Sequence, residues 1–122
     1  MKHNFVNSAN EMEIFKQAYD LSLTIHKISL LFPYSEQYAL ADQLRRSSKS
    51  ICANLVEGFA KQVSSKQEFR RYVVINLGSC NETLLWLGYA KDLEYIPLIN
   101  FKNGRDITRQ SHECLTVYIN SF

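Results

Sequence analysis

The residues best suited to chemistry are few and scattered. Glu57 and Glu82 are carboxylates near predicted apolar seams, the type of pair that serves as general acid and base. They come without a histidine ligand set, a glycine-rich phosphate loop or an activated nucleophile. A di-metal carboxylate bundle would carry Glu-x-x-His pairs on its helices. His3, His26 and His112 have no glutamate at that spacing, although Glu113 adjoins His112. Cys52, Cys80 and Cys114 are odd in number, far apart and each inside a predicted helix, a pattern of buried thiols rather than a disulfide framework or a zinc knuckle. The chain is therefore read as non-enzymatic, with no catalytic residue, metal or cofactor.

Charge is the more informative property. Between residues 45 and 71 stand Arg45, Arg46, Lys49, Lys61, Lys66, Arg70 and Arg71 against Glu57 and Glu68, a net +5, so the remaining residues sum to −3 against the formal +2 of the whole chain. Such a run is a candidate polyanion or partner site, for nucleic acid or an acidic protein surface. The plainer reading is a solvated face or a set of oligomer salt bridges. If the helices carrying these residues are antiparallel, Lys49 approaches Arg70 or Arg71. Asn54, Glu57 and Glu82 would need partners if buried; Arg45, Arg46 or Arg71 can supply them, giving a structural polar network that sets register and neighbour choice. The chain also has 7 Phe, 7 Tyr and 1 Trp, more rings than a narrow core needs. Tyr19, Tyr34, Tyr38, Trp86, Tyr89 and Tyr95 are therefore candidates for a subunit interface, where aromatic residues concentrate.

These residues must be positioned by helices. The 122 residues include 4 Gly and 2 Pro, too few breakers for the frequent turns of an all-β chain. One domain, residues 1–122, is expected, with residues 1–9 frayed. The first helix is expected from Asn10, which caps three residues ahead of Glu13, and its stripe Ile14, Ala18, Leu21, Ile25 and Ile28 runs until Pro33 stops it near Leu31 or Phe32. A second is expected from Ser35 to Gly58, with the stripe Leu40, Leu44, Ser47 or Ser48, Ile51 and Leu55. After a loop including residues 59–64, the Ser65/Glu68 capping box opens a third. Its inward set is Phe69, Val73, Asn76 or Leu77, Cys80, Leu84 and Leu87, with Gly78 permitting close packing or a bend. Pro97 looks like the first-turn residue of a fourth helix that Gly104 weakens, so that order starts near Asn103, with Ile107, Cys114, Val117 and Tyr118 as apolar positions. Four such segments pack most simply as an all-α, antiparallel up-down-up-down four-helix bundle. No stretch is long and apolar enough to span a bilayer and no signal peptide is evident, so a cytoplasmic protein without a membrane partner is expected.

One combination of motifs is specific. Phe32, Pro33 and Glu36 form an F-P-x-x-E start, Gln43 to Arg46 a Q-L-R-R element, and Ser50, Ile51, Asn54, Leu55, Val56, Glu57 and Gly58 an S-I-x-x-N-L-V-E-G element. Lys61 follows, then Glu68, Phe69 and Tyr72, then Gly78, Ser79 and Glu82. This pattern closely resembles the bacterial four-helix-bundle family encoded in intervening sequences of large-subunit ribosomal RNA genes, once labelled S23-type, and the resemblance covers nearly the whole chain. Val56 stands where alanine is usual, Lys61 where arginine is common, and Asn76 near a position often taken by a small residue. The resemblance implies a four-helix bundle and ring-shaped homo-oligomers, commonly homopentamers. It also implies a fold similar to the accessory protein of diversity-generating retroelements, which looks like a basic scaffold engaging a reverse transcriptase and nucleic acid.

Overall fold

A computed structural model describes residues 8–120. Four helices, α1 (Ala9–Ser29), α2 (Leu40–Gln62), α3 (Lys66–Asp92) and α4 (Leu98–Ile119), account for most of them, with a 3₁₀ turn at Tyr34–Glu36. Each helix packs on the next in sequence, and α4 closes back on α1; among the helix pairs the α2–α3 contact is the most extensive and the α1–α4 contact the slightest. The chain is an all-α, antiparallel four-helix bundle.

Local chemistry sets most boundaries. Ser8, two residues before the expected cap, accepts a hydrogen bond from the Glu11 amide at 3.1 Å, so the capping box is Ser8/Glu11 rather than Asn10/Glu13. Of the residues expected to fray, Ser8 and Ala9 are thus ordered by the cap, and residues 1–7 lie outside the described residues. The Ser65 hydroxyl caps α3 through the Glu68 amide, also at 3.1 Å, as its sequence signature indicates. Between α1 and α2 the helix expected from Ser35 is only the 3₁₀ turn; α2 starts at Leu40.

Two glycines behave differently from the sequence expectation. Gly58 does not end α2, which continues through Phe59 to Gln62; a Cβ there would lie 3.0 Å from Tyr72 Cβ and 3.3 Å from Phe69 Cδ2. The residue is a point of close helix approach, and Phe59, expected in a loop, is buried beneath it. Gly104 does not delay α4 either. It is buried inside the helix, where a Cβ would meet Ile28, Ile25 and Leu87 at 3.1 to 3.3 Å, and Pro97 is the residue before the helix rather than its first member.

The core runs the length of the bundle. Ile14, Ala18, Leu21, Ile25 and Ile28 of α1 and Leu44, Ile51 and Leu55 of α2 are buried as their spacing requires. On α3 the inward set is Phe69, Val73, Asn76, Cys80, Thr83, Leu87 and Ala90, so Thr83 replaces Leu84. On α4 it is Gly104, Thr108, Ser111, Leu115 and Ile119, one position round from the apolar residues that the sequence suggests. Small hydroxyl residues can occupy this inward side because their own helix offers an acceptor, as the Gly104 carbonyl does to Thr108 at 2.6 Å. Stacked Phe59 and Phe69, with Tyr118 edge-on to Phe69, close one end.

Helix α3 ends in a Schellman motif. The amide of Tyr95 donates to the Ala90 carbonyl at 2.8 Å and that of Glu94 to Lys91 at 3.0 Å, with Glu94 at φ 60°. Tyr95 then donates its hydroxyl to Glu36 at 2.8 Å, tying the α3–α4 connection to the 3₁₀ turn. That bond holds the Tyr95 phenol above its ordinary pKa.

Candidate functional site

The seven basic candidates fall into two groups. Ser47 of α2 meets Thr83 of α3 at 2.9 Å and Ser50 meets Ser79 at 2.8 Å. In this antiparallel register Arg70 stands level with the last turns of α2. At 1.5 Å per residue it is roughly 20 Å along the bundle from Arg46, and roughly 15 Å from Lys49. The juxtaposition of Lys49 with Arg70 or Arg71 expected from sequence is therefore not formed within one chain.

The first group is largely engaged. Arg45 is partly buried and donates to Ser29 Oγ at 2.9 Å, to Gln37 Oε1 at 3.2 Å and to the Gln37 carbonyl, while Gln37 Nε2 donates to the carbonyls of Ser29 and Phe32. Gln37 thus satisfies carbonyls at the end of α1, and the guanidinium holds Gln37 and the Ser29 hydroxyl in place, fixing the connection to α2. Arg46 pairs with Asp42 at 2.8 Å on the surface. Lys49 Nζ lies 2.8 Å from His26 Nδ1, so the ammonium donates to a neutral imidazole. Burial first, then Lys49 and Arg45, keep the His26 pKa below its ordinary value.

The second group surrounds the α2–α3 connection. Lys61, Lys66, Arg70 and Arg71 are exposed there beside the first turn of α3. Arg70 Nη1 donates to the Ile119 carbonyl at 3.3 Å, satisfying the end of α4. Arg71 lies 3.5 Å from Glu68 and over the Tyr72 ring. An open recess of about 350 Å³ is lined by Ser65, Gln67, Glu68, Arg70, Arg71 and Val74.

Asn54, Glu57 and Glu82 do not meet. Glu57 and Glu82 are both exposed, and Glu82 accepts from Trp86 Nε1 at 3.2 Å; Asn54 is half-buried. The buried polar cluster is instead Ser47, Ser50, Ser79 and Thr83, where hydroxyls link α2 to α3. The signal that would have found it is Ser79 and Thr83 one turn apart, facing the Ser47/Ser50 pair. Asn76 is fully buried, and neither polar atom of its side chain has a hydrogen-bond partner.

Among the described residues no group of three or more His, Cys, Asp or Glu could hold a metal ion; His3 lies outside them. The cysteines are free. Burial pushes the Cys52 thiol up to about 11 and that of Cys80 up to about 12, so neither is a ready nucleophile. A groove of about 450 Å³ between α1 and α4 has an apolar floor including Ile14, Cys114 and Val117, with Glu13 and Glu113 on its walls.

Apolar exposure is concentrated at the end where α1 and α3 finish and α2 and α4 begin. Leu30, Leu31, Leu93, Leu98 and Ile99 are about half exposed or more, and Tyr34 and Tyr38 are 85% and 86% exposed. Of the other aromatic candidates, Tyr89 is 50% exposed, whereas Tyr19, Trp86 and Tyr95 pack against the core.

The model of the 23S rRNA-intervening sequence protein family matches residues 10–116. The chain belongs to that family. A crystal structure of a protein of unknown function from the S23 ribosomal protein family of Bacteroides thetaiotaomicron has the same fold, with a TM-score of 0.81, 21% identity and coverage of 91% of this chain and 98% of that one. Among curated proteins no significant match is found. In this 23S rRNA-intervening sequence protein, most motif residues behind the sequence resemblance do structural work. Phe32 packs on Tyr95, Glu36 accepts from Tyr95, Arg45 clamps the α1–α2 connection, and Gly58 admits Phe69 and Tyr72. Ser50 bonds to Ser79. Glu57, Lys61 and Gly78 are exposed instead.

Proposed function

We propose that this protein is a non-enzymatic, homo-oligomeric helical scaffold or adaptor of the cytoplasm, with a homopentamer as the assembly that its resemblance implies. The observation that supports this reading best is the apolar end. Seven large apolar side chains between Leu30 and Ile99, each about half exposed or more, lie at this one end, and exposed apolar surface of this kind marks sites of protein interaction. No helix of the described residues is long and apolar enough to cross a membrane, so a protein surface is the occupant favoured here.

The test is the mass in solution by light scattering over a wide concentration range. A multiple of the 14.2 kDa chain is expected, falling when Tyr34→Arg and Ile99→Arg are combined. A wild-type chain that stays at 14.2 kDa throughout overturns the reading.

A second reading, a nucleic-acid-binding protein, draws on Lys61, Lys66, Arg70 and Arg71 around one connection. It predicts affinity for structured RNA or duplex DNA that weakens steeply with salt and is lost in a Lys66→Glu/Arg70→Glu variant of unchanged mass. Absence of binding at low salt removes this reading and leaves the basic end to an acidic protein partner.

A further inference from the structure

Helix α3 carries two glycines for which the chain itself offers no use. A Cβ at Gly78 or Gly88 would have nothing within 4 Å, and no glycine has a positive φ. Each costs about 1 kcal/mol relative to alanine inside a helix. Both fall on the outward side of α3, where Arg71, Val74, Gly78, Asn81, Leu85, Gly88 and Asp92 follow one another at alternating steps of four and three. That is the heptad spacing of a helix seam. Val74, Leu85 and the adjoining Tyr89 are 50% to 56% exposed, and an open recess of about 300 Å³ lies among Leu84, Leu85, Gly88, Tyr89 and Asp92. A half-apolar seam with gaps where side chains should be is the counterpart of another helix at short distance.

We infer that this strip pairs with the same strip of a second copy, antiparallel, about a two-fold axis near Asn81 and Glu82. The charges and sizes favour that occupant. An antiparallel pair brings the Arg71 end of one copy to the Asp92 end of the other. It also sets the Val74–Gly78 half against the bulkier Leu85–Tyr89 half, so that large side chains meet the glycine gaps. A parallel in-register pair would place Arg71 on Arg71, Asp92 on Asp92, and glycine on glycine. Asn81 and Glu82 near the axis supply a donor and an acceptor to each other. Arg71 and Asp92 make only exposed contacts at 3.5 Å and 3.7 Å within the chain, so both are free to exchange partners at little cost. A two-fold contact is self-complementary and doubles whatever the apolar ends assemble. The inference rests on the homo-oligomeric reading and adds its second interface.

Two measurements test it. Leu85→Glu and, separately, Gly78→Gln alter exposed positions that the fold does not need, and each is expected to halve the mass of the assembly. Chains carrying Gly78→Cys and chains carrying Leu85→Cys are then mixed and oxidised, and the cross-linked peptides are identified by mass spectrometry. Cross-links between unlike chains, 78 to 85, are expected. An assembly whose mass is unchanged in both variants, or cross-links confined to 78–78 and 85–85, overturns the α3 pairing while leaving the homo-oligomeric reading intact. A wild-type chain that is monomeric throughout overturns both.

Discussion

Replacing Asn76 by leucine should make the protein more stable. Asn76 is fully buried on the inward side of α3, and neither its amide nitrogen nor its oxygen has a partner. A buried amide without hydrogen bonds costs about 1–3 kcal/mol on scales drawn from protein variants. Leucine has the same number of side-chain heavy atoms and the same branch point, so Asn76→Leu removes the penalty and adds apolar contact. Its tetrahedral methyl groups are bulkier than the planar amide, and overpacking returns about 1 kcal/mol of the gain. The net expectation is a gain of about 1–2 kcal/mol, or roughly 3–8 °C in Tm for a chain of this size. Urea denaturation at one fixed protein concentration reads it as a higher midpoint at unchanged slope, the fixed concentration holding any assembly constant. A loss of more than about 1 kcal/mol would refute the reasoning, because the amide would then have to be satisfied in the folded protein.

Three further outcomes follow from contacts already described. Gly58→Ala should lose about 1–3 kcal/mol, since its Cβ would lie 3.0 Å from the rigidly placed Cβ of Tyr72, whereas Gly78→Ala, measured in the Leu85→Glu background, should gain about 1 kcal/mol; denaturation of the pair reads both. Arg45→Met should lose about 2–3 kcal/mol and leave Gln37 and the Ser29 hydroxyl without this donor, seen as faster amide exchange in residues 30–39. The buried thiols of Cys52 and Cys80 titrate later in the folded chain, at about 11 and about 12, than the ordinary value of 9.0. Their contribution is therefore fully present below about pH 9 and lost as pH rises through 11 and 12. Denaturation midpoints that fall between pH 9 and 11 in the wild type, and fall less in Cys52→Ala/Cys80→Ala, would bear this out; equal slopes would not.

The helices were legible in the sequence because their signals are local and repeated. Ser65 with Glu68 and the α1 stripe from Ile14 to Ile28 state their structure within a few residues. What could not be read required a neighbour. Gly58 has the appearance of a helix stop until Phe69 and Tyr72 are seen against it. Gly104 weakens a helix on propensity alone, but the space it leaves is filled by Ile25, Ile28 and Leu87. The candidate basic site suffered for the same reason. Seven cations close in sequence become two groups once the antiparallel register is fixed, and Arg45 is drawn inward by Gln37 and the Ser29 hydroxyl across the α1–α2 connection. Glu57 and Glu82, expected near the seams, face outward, while serine and threonine, which can bond to their own helix, take the buried polar positions.

Where the chain departs from what would stabilise a lone bundle, the departures are not random. Asn76, Gly78 and Gly88 all lie on α3, and seven large exposed apolar side chains lie at one end. Natural sequences keep such locally unfavourable choices where another requirement outweighs them. Among the motif residues Phe32, Arg45, Gly58, Ser50 and Ser79 build contacts within the bundle, whereas Gly78 is exposed and a Cβ there would meet nothing. On the α3 pairing the requirement on Gly78 lies outside the chain, and the one-residue change to glutamine tests it. If nothing packs on the glycine, glutamine there raises stability and alters nothing else; if it serves a second copy, glutamine raises the stability of the helix and splits the assembly.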